Sequence, residues 1–273
     1  MNKVLFFLLL SSAIFAQKAD TLTVFSHSMQ KQIKNIIITP DAYTTEKQNF
    51  PVLYLLHGAY GDFTNWINKA PEIKAYANQY KMIIVCPDGH PFSWYLDSPI
   101  DKNFRYETYI TKELIYEVDK NYRTIRSKKG RAITGLSMGG HGAFYLAFRN
   151  QDLFGATGSM SGGMNFLLFT NKQNYELNNR LGYYKDYPEN WIKHTIINMT
   201  DLLVDKDLKI YFDCGLDDFF YETNLSLHKK MLLQNIAHDY TERPGKHNWN
   251  YWTNSIKYHM VYFNDYFSNN SGQ

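Results

Sequence analysis

Between residues 131 and 150, an apolar run stops at Gly135-Leu136-Ser137-Met138-Gly139-Gly140 and resumes with helical spacing. A serine in such a junction occupies a sharp strand-to-helix turn, where glycines remove side chains that would collide. The following helix aims its first amide groups at the serine. The N–H of Met138 is therefore placed to stabilise negative charge developing on a substrate oxygen. The turn requires a strand before it and a helix after it.

The rest of the chain supplies that setting. Short apolar and β-branched runs recur at 22–26, 35–39, 52–57, 82–87, 131–136, 155–160, 208–214 and 239–243. From residue 52 onward most are followed by segments of helical length and period, among them 102–122, 138–150, 221–235 and 248–267. Strands alternating with helices imply right-handed crossovers and a mostly parallel sheet of eight strands, with helices on both faces. No helix separates the first two runs, which predicts an antiparallel hairpin at the sheet edge. No repeat or interdomain linker is visible, so residues 17–273 read as one α/β domain. Residues 162–207 lack a clear strand and are rich in Tyr, Asn and Lys. They read as an insertion above the sheet whose Tyr183, Tyr184, Tyr187 and Trp191 form a wall of the substrate pocket.

Residues 1–16 read as a secretory signal peptide: Lys3, an apolar run over 4–10, and a small-residue exit at Ala16. The run is too short to span a bilayer, which needs about 20 apolar residues. No cysteine follows it to carry a lipid. The expectation is an exported protein, periplasmic or extracellular, without a membrane anchor. A hydrophobic share of 44% with only 8 Pro excludes disordered and fibrous classes. The formal charge is +3, and Arg126, Lys128, Lys129 and Arg131 cluster only locally, which speaks against a nucleic-acid partner. Two cysteines allow one disulfide at most, so this is no disulfide scaffold. Aromatics at 16%, with 22 Tyr, hint at sugar or aryl ligands.

A second motif, Leu55-Leu56-His57-Gly58-Ala59-Tyr60-Gly61, ends an apolar strand in His-Gly followed by a small residue. It places a free N–H, that of Ala59, at the C-terminal edge of the sheet. Paired with the N–H of Met138 it would make an oxyanion hole. His57 itself reads as structural. In this architecture an acid and a base follow the serine, in the order Ser, Asp or Glu, His. His247 lies in a loop after the last strand and just before a helix, where a base can reach the serine. His141, directly after the elbow, reads as a packing residue. For the acid, Asp213, Asp217 and Asp218 all fall at the end of the preceding strand, and spacing leaves the choice between Asp217 and Asp218 open.

Together these motifs resemble the esterase D family of α/β-hydrolases, over roughly residues 30 to 267. The family includes S-formylglutathione hydrolases, feruloyl and acetylxylan esterases, siderophore esterases and mycolyltransferases. The residues that carry the resemblance are Leu55-Leu56-His57-Gly58, Pro87-Asp88-Gly89, Trp94-Tyr95-Leu96-Asp97-Ser98, the elbow with Phe154-Gly155 after it, Gly215-x-x-Asp218 and Gly245-x-His247-x-Trp249. The resemblance implies an α/β-hydrolase fold, Asp218 as the triad acid, and Ala59 and Met138 as oxyanion donors. Trp94 and Tyr95 become candidate substrate-binding residues. In that fold the strands carrying Cys86 and Cys214 lie about four steps apart, on the order of 19 Å at ~4.8 Å per step. A disulfide spans about 7 Å between Cα atoms, so both thiols are expected free and buried.

The expectation is an exported serine carboxylesterase working without metal or cofactor on a small-molecule or oligosaccharide ester. Export and aromatic richness favour feruloyl or acetyl groups on plant polysaccharides. Siderophore esterases, acyltransferases and S-formylglutathione-hydrolase-like thioesterases share the fold, although the last have a cytosolic substrate. A non-catalytic carbohydrate-binding module has no use for Ser137, Asp218 and His247 in this order.

Overall fold

The computed structural model describes residues 19–170, 175–203 and 206–270; the leader read at 1–16 lies outside the described residues. All eight runs form strands: β1 (Ala19–Ser26), β2 (Lys31–Ile38), β3 (Val52–Leu56), β4 (Ile83–Pro87), β5 (Arg131–Gly135), β6 (Ala156–Met160), β7 (Lys209–Gly215) and β8 (Asp239–Arg243). They join one sheet in the order β1-β2-β4-β3-β5-β6-β7-β8. The β1–β2 hairpin is antiparallel at the edge and β2 is antiparallel to β4, while every pairing from β4 to β8 is parallel.

The central strands β3 to β6 are buried at every position because the sheet is covered twice. In β3 all five residues are buried. Val52, Tyr54 and Leu56 enter one core and Leu53 and Leu55 the other, as alternating side-chain directions require. The first core is closed by helices Met138–Arg149, Ile115–Asn121 and Tyr221–Leu233. The second is closed by helix Ile73–Gln79 and by the C-terminal helix Trp249–Asn270. That last helix turns Ile256, Met260, Phe263 and Phe267 inward at three- and four-residue spacing, the period of one helix face. Among the described residues no helix is long and apolar enough to cross a membrane.

The segment predicted as a helix over 102–122 starts later, at Tyr106, and passes through a π-helical turn at Tyr109–Leu114. The delay has a local cause. Arg105 pairs with Asp97 in an isolated antiparallel bridge, and the Asp97 carboxylate accepts the N–H of Thr108 at 3.0 Å and its hydroxyl at 2.6 Å. The first turn is thus set by a tertiary contact that helical period does not report.

The sheet order also fixes where a ligand can sit. From β3 the chain goes to β4 on one side, whereas β5 lies against the other side of β3. Ligands of open α/β sheets bind beyond the C-terminal ends of the strands at such a reversal. Here those ends are Gly58-Ala59 after β3 and Ser137 after β5.

Cys86 on β4 and Cys214 on β7 are free and buried, four strands along the sheet order from each other. Burial pushes both thiols well above their ordinary range. Both should therefore stay unreactive toward Ellman's reagent in the native protein and react only on unfolding, while a reductant leaves the melting temperature unchanged. Rapid native labelling of either thiol would contradict this packing.

Candidate active site

Ser137 sits at φ 54° and ψ −116°, a region that costs a non-glycine residue about 1–3 kcal/mol. Its backbone is held on both sides. The Ser137 N–H donates to the Met160 carbonyl at the end of β6 (2.9 Å), and its carbonyl accepts the N–H of His141 (3.0 Å). The turn is also pressed against β3. A Cβ on Gly139 would stand 2.5 Å from the His57 carbonyl oxygen, and one on Gly135 2.5 Å from the carbonyl oxygen of Gly139. Only glycine allows that approach at either position.

The close approach brings Gly58 beside Ser137 and carries Ala59 to the rim of the same cavity. The N–H groups of Ala59 and Met138 donate to no carbonyl among the described residues. Behind them, His57 is buried and saturated. Its Nε2 accepts the N–H of Gly89 (2.8 Å), so Nδ1 holds the hydrogen and donates to the Gly58 carbonyl (2.8 Å). Burial lowers its pKa, which keeps the ring neutral. His57 therefore ties the turn after β3 to the turn after β4.

His247, in the loop between β8 and the C-terminal helix, spans Ser137 and Asp218. Its Nδ1 lies 2.9 and 3.0 Å from the two carboxylate oxygens of Asp218, and its Nε2 lies 2.9 Å from the Ser137 Oγ. A carboxylate only accepts, so Nδ1 carries the hydrogen and Nε2 presents a lone pair to the serine hydroxyl. Asp218 is buried, and the N–H of Phe220 fixes it further by donating to its Oδ1 at 2.8 Å. Asp217 is exposed and points away, and its N–H donates to the Gly245 carbonyl.

Asp213, the third acid of this stretch, is engaged elsewhere. It is fully buried and accepts from Arg243 Nη1 (3.1 Å), from the Tyr251 hydroxyl (3.1 Å) and from the Ser255 hydroxyl. Burial opposes its charge, but His259, Ser255 and Arg243 outweigh that and hold its pKa below the usual carboxylate range. Arg243 and Tyr251 flank the His247 loop, so this network anchors both ends of the loop to β7.

The cavity over Ser137 encloses about 220 Å³, on the order of seven waters' volume. Its walls are largely aromatic: Tyr60, Trp94, Tyr175, Phe219, Trp249 and Trp252, with Asn65 as an amide and, among the described residues, His247 as the one imidazole and no charged side chain. The structure brings Trp94 into the wall, its indole N–H donating to the Tyr175 carbonyl (3.0 Å). Tyr95 instead lies underneath, with its hydroxyl donating to the His57 carbonyl (3.1 Å). The wall expected from Tyr183, Tyr184, Tyr187 and Trp191 needs correction, because none of the four lines the cavity. Trp191 is buried, donates to the Gly182 carbonyl (2.8 Å) and meets Tyr184 edge-on, while Tyr183 and Tyr187 are 62% and 50% exposed. Trp191 and Tyr184 pack the insertion itself, and among the described residues the insertion lends Tyr175 to the cavity. Sequence reasoning missed Phe219 and Phe220, although they directly follow Asp218, and Trp252, three residues after Trp249. His141 is buried with Nε2 2.9 Å from the His194 carbonyl, its pKa pushed down to about 3 by burial, and it packs as expected. Among the described residues no three His, Cys, Asp or Glu side chains are grouped to hold a metal ion.

The family model described as Putative esterase matches residues 26–262. An esterase of Mycobacterium tuberculosis is 33% identical over 129 residues, which cover 46% of this chain and 28% of that protein. The chain thus spans little more than a quarter of that mycobacterial relative. An acetyl esterase of Caldicellulosiruptor saccharolyticus is 27% identical over 233 residues, covering 77% of this chain and 82% of the relative. Among solved structures, a ferulic acid esterase matches with a TM-score of 0.77 at 27% identity, over 92% of this chain and 98% of the other.

Two substitutions test the geometry. Asp218→Asn should lower kcat by about 10³–10⁴-fold with at most a few-fold change in KM, whereas Asp217→Asn should cost less than about tenfold. Steady-state kinetics on the pair decides between them, and equal losses would break the assignment. Gly139→Ala, which drives a methyl against β3, should lower the melting temperature by roughly 3–10 °C as well as activity.

Proposed function

The chain belongs to the Esterase family, and on that premise we propose that it is an exported serine carboxylesterase acting through an acyl-enzyme. The observation that carries this reading is the hydrogen-bonded series Ser137–His247–Asp218 at a cavity that Ala59 also lines, with the N–H groups of Ala59 and Met138 donating to no carbonyl among the described residues. As His247 Nε2 takes the hydroxyl proton, Ser137 Oγ bonds to the ester carbonyl carbon. The carbonyl electrons move onto oxygen, which the N–H groups of Ala59 and Met138 receive. The intermediate collapses, the bond to the alcohol breaks, and His247 returns the proton to the leaving alkoxide. Water then repeats the sequence on the acyl-enzyme, frees the acid and restores Ser137. Asp218 holds the imidazole tautomer and offsets its positive charge in both halves.

For the substrate we infer feruloyl or acetyl esters of plant polysaccharides or their oligomers, with feruloyl favoured. The likeness to an acetyl esterase and to a ferulic acid esterase supports this class. The aromatic walls support an aryl acyl group over a bare acetyl, because planar rings gain from edge and face contacts. A cavity of about 220 Å³ takes a small acyl group and leaves a polymeric alcohol outside. S-formylglutathione and anionic siderophores carry several charges, for which the walls offer no matching charged side chain among the described residues. Export rests on residues 1–16, and periplasmic or extracellular protein should begin at Gln17 by N-terminal sequencing.

Ser137→Ala should lower kcat on methyl ferulate by on the order of 10⁶ and abolish labelling by a fluorophosphonate probe, with the fold intact by circular dichroism. Retained wild-type turnover would remove the nucleophile assignment. In a panel of aryl, acetyl, feruloyl and siderophore esters with S-formylglutathione, methyl ferulate should show the highest kcat/KM. A preference for S-formylglutathione would reverse the substrate reading.

A further inference from the structure

The proposed base is enclosed by rings. The His247 imidazole has Phe219 at 4.2 Å between centroids, tilted by 41°, Trp252 at 4.9 Å and Phe220 at 5.3 Å, the last two near-perpendicular. Burial accounts for two of these neighbours, since Phe220 and Trp252 are 3% and 7% exposed and belong to the packed interior. It does not account for Phe219. That side chain is 61% exposed, and its ring meets only Phe220 and the imidazole among the described aromatic pairs. A phenyl ring left mostly in water contributes little to folding through apolar burial.

The chain leaves Phe219 little choice of direction. Asp218 Oδ1 accepts the N–H of Phe220 (2.8 Å), and the Asp218 carbonyl accepts the N–H of Tyr221 (3.0 Å). The turn that aims the carboxylate at His247 Nδ1 therefore also sends the next side chain over the imidazole ring.

We propose that Phe219 is a positioning residue for His247, whose ring stabilises the imidazolium formed when the base takes the serine proton. This rests on the serine-esterase reading above. An aromatic face attracts a cation within about 6 Å of its centroid, and the Phe219 ring lies inside that distance. The attraction acts on the charged imidazole alone. A neutral imidazole gains little from it, so the contact lowers the barrier and leaves ground-state binding unchanged. Acylation and deacylation both pass through the imidazolium, so kcat registers the effect whichever is slower. Phe219 also borders the cavity, and contact with substrate is the competing role. That role would appear in KM.

The test is the series Phe219→Tyr, Phe219→Leu and Phe219→Ala, with kcat and KM on 4-nitrophenyl acetate and a thermal melt for each. Tyr keeps the aromatic face and should stay within about twofold of the parent in kcat. Leu keeps apolar bulk without the face, and it should fall with Ala by roughly two- to thirtyfold in kcat, KM staying within about twofold. Melting temperatures should move by no more than about 2 °C, because the side chain is exposed. Parental kcat in the Leu variant would overturn the proposal, since bulk alone would then suffice. A raised KM with unchanged kcat, or no change in any variant, would overturn it as well. Ser137→Ala and fluorophosphonate labelling of the parent run alongside. An active Ser137→Ala enzyme defeats the underlying reading, whereas an inert one with unaltered Phe219 variants defeats only the role of Phe219.

Discussion

The backbone of Ser137, held at φ 54° and ψ −116°, constrains everything else at the site. A side chain displayed from such a turn stands clear of both the strand behind it and the helix after it. The conformation persists because its surroundings over-determine it. β6 takes the serine N–H, the first helical turn takes its carbonyl, and β3 presses close enough that Gly135 and Gly139 admit no Cβ. The same pressure carries Gly58 and Ala59 to the serine, so one steric fit both strains the proposed nucleophile and supplies a hydrogen-bond donor beside it. Strain of about 1–3 kcal/mol is small against the packing that surrounds it.

The two acids at the end of β7 show how burial and partners divide roles among like groups. Asp213 is held by Arg243, Tyr251, Ser255 and His259, away from the cavity. Its charge is neutralised locally, and what it secures is the pair of elements bracketing the His247 loop. Asp218 lies on the turn beyond the strand, where one backbone N–H fixes it and both oxygens remain available to the imidazole. A buried ionic anchor below and a ring-lined cavity above leave His247 restrained on both sides. Low local polarity strengthens the hydrogen bonds it makes.

The insertion between β6 and β7 shows where residue type stops being informative. Its dense tyrosines suggest a binding wall, yet Trp191 and Tyr184 are consumed in holding the excursion together and Tyr183 and Tyr187 face outward. The ring it lends to the cavity, Tyr175, precedes that cluster and is fixed through its carbonyl by Trp94. Aromatic density measures how much apolar surface a segment must dispose of, and both a pocket and a local core satisfy it equally.

From the sequence alone came the alternation of strands and helices, the edge hairpin, the elbow at Ser137 and the loop position of His247, while the separation of the two cysteines came from the fold the resemblance implied. Each of the former is encoded locally, by hydrophobic period, by glycine at a turn, or by order along the chain. Resemblance to a family favoured Asp218, where spacing left Asp217 equally eligible. What the tertiary structure decided were the relations between segments distant in sequence. It turned Asp218 inward and Asp217 outward, it tied Asp213 to Arg243 and the C-terminal helix, and it set Phe219 over an imidazole 28 residues away on another loop. Those outcomes depend on the direction in which a side chain leaves a folded turn and on what surface awaits it, and periodicity along a chain carries neither quantity.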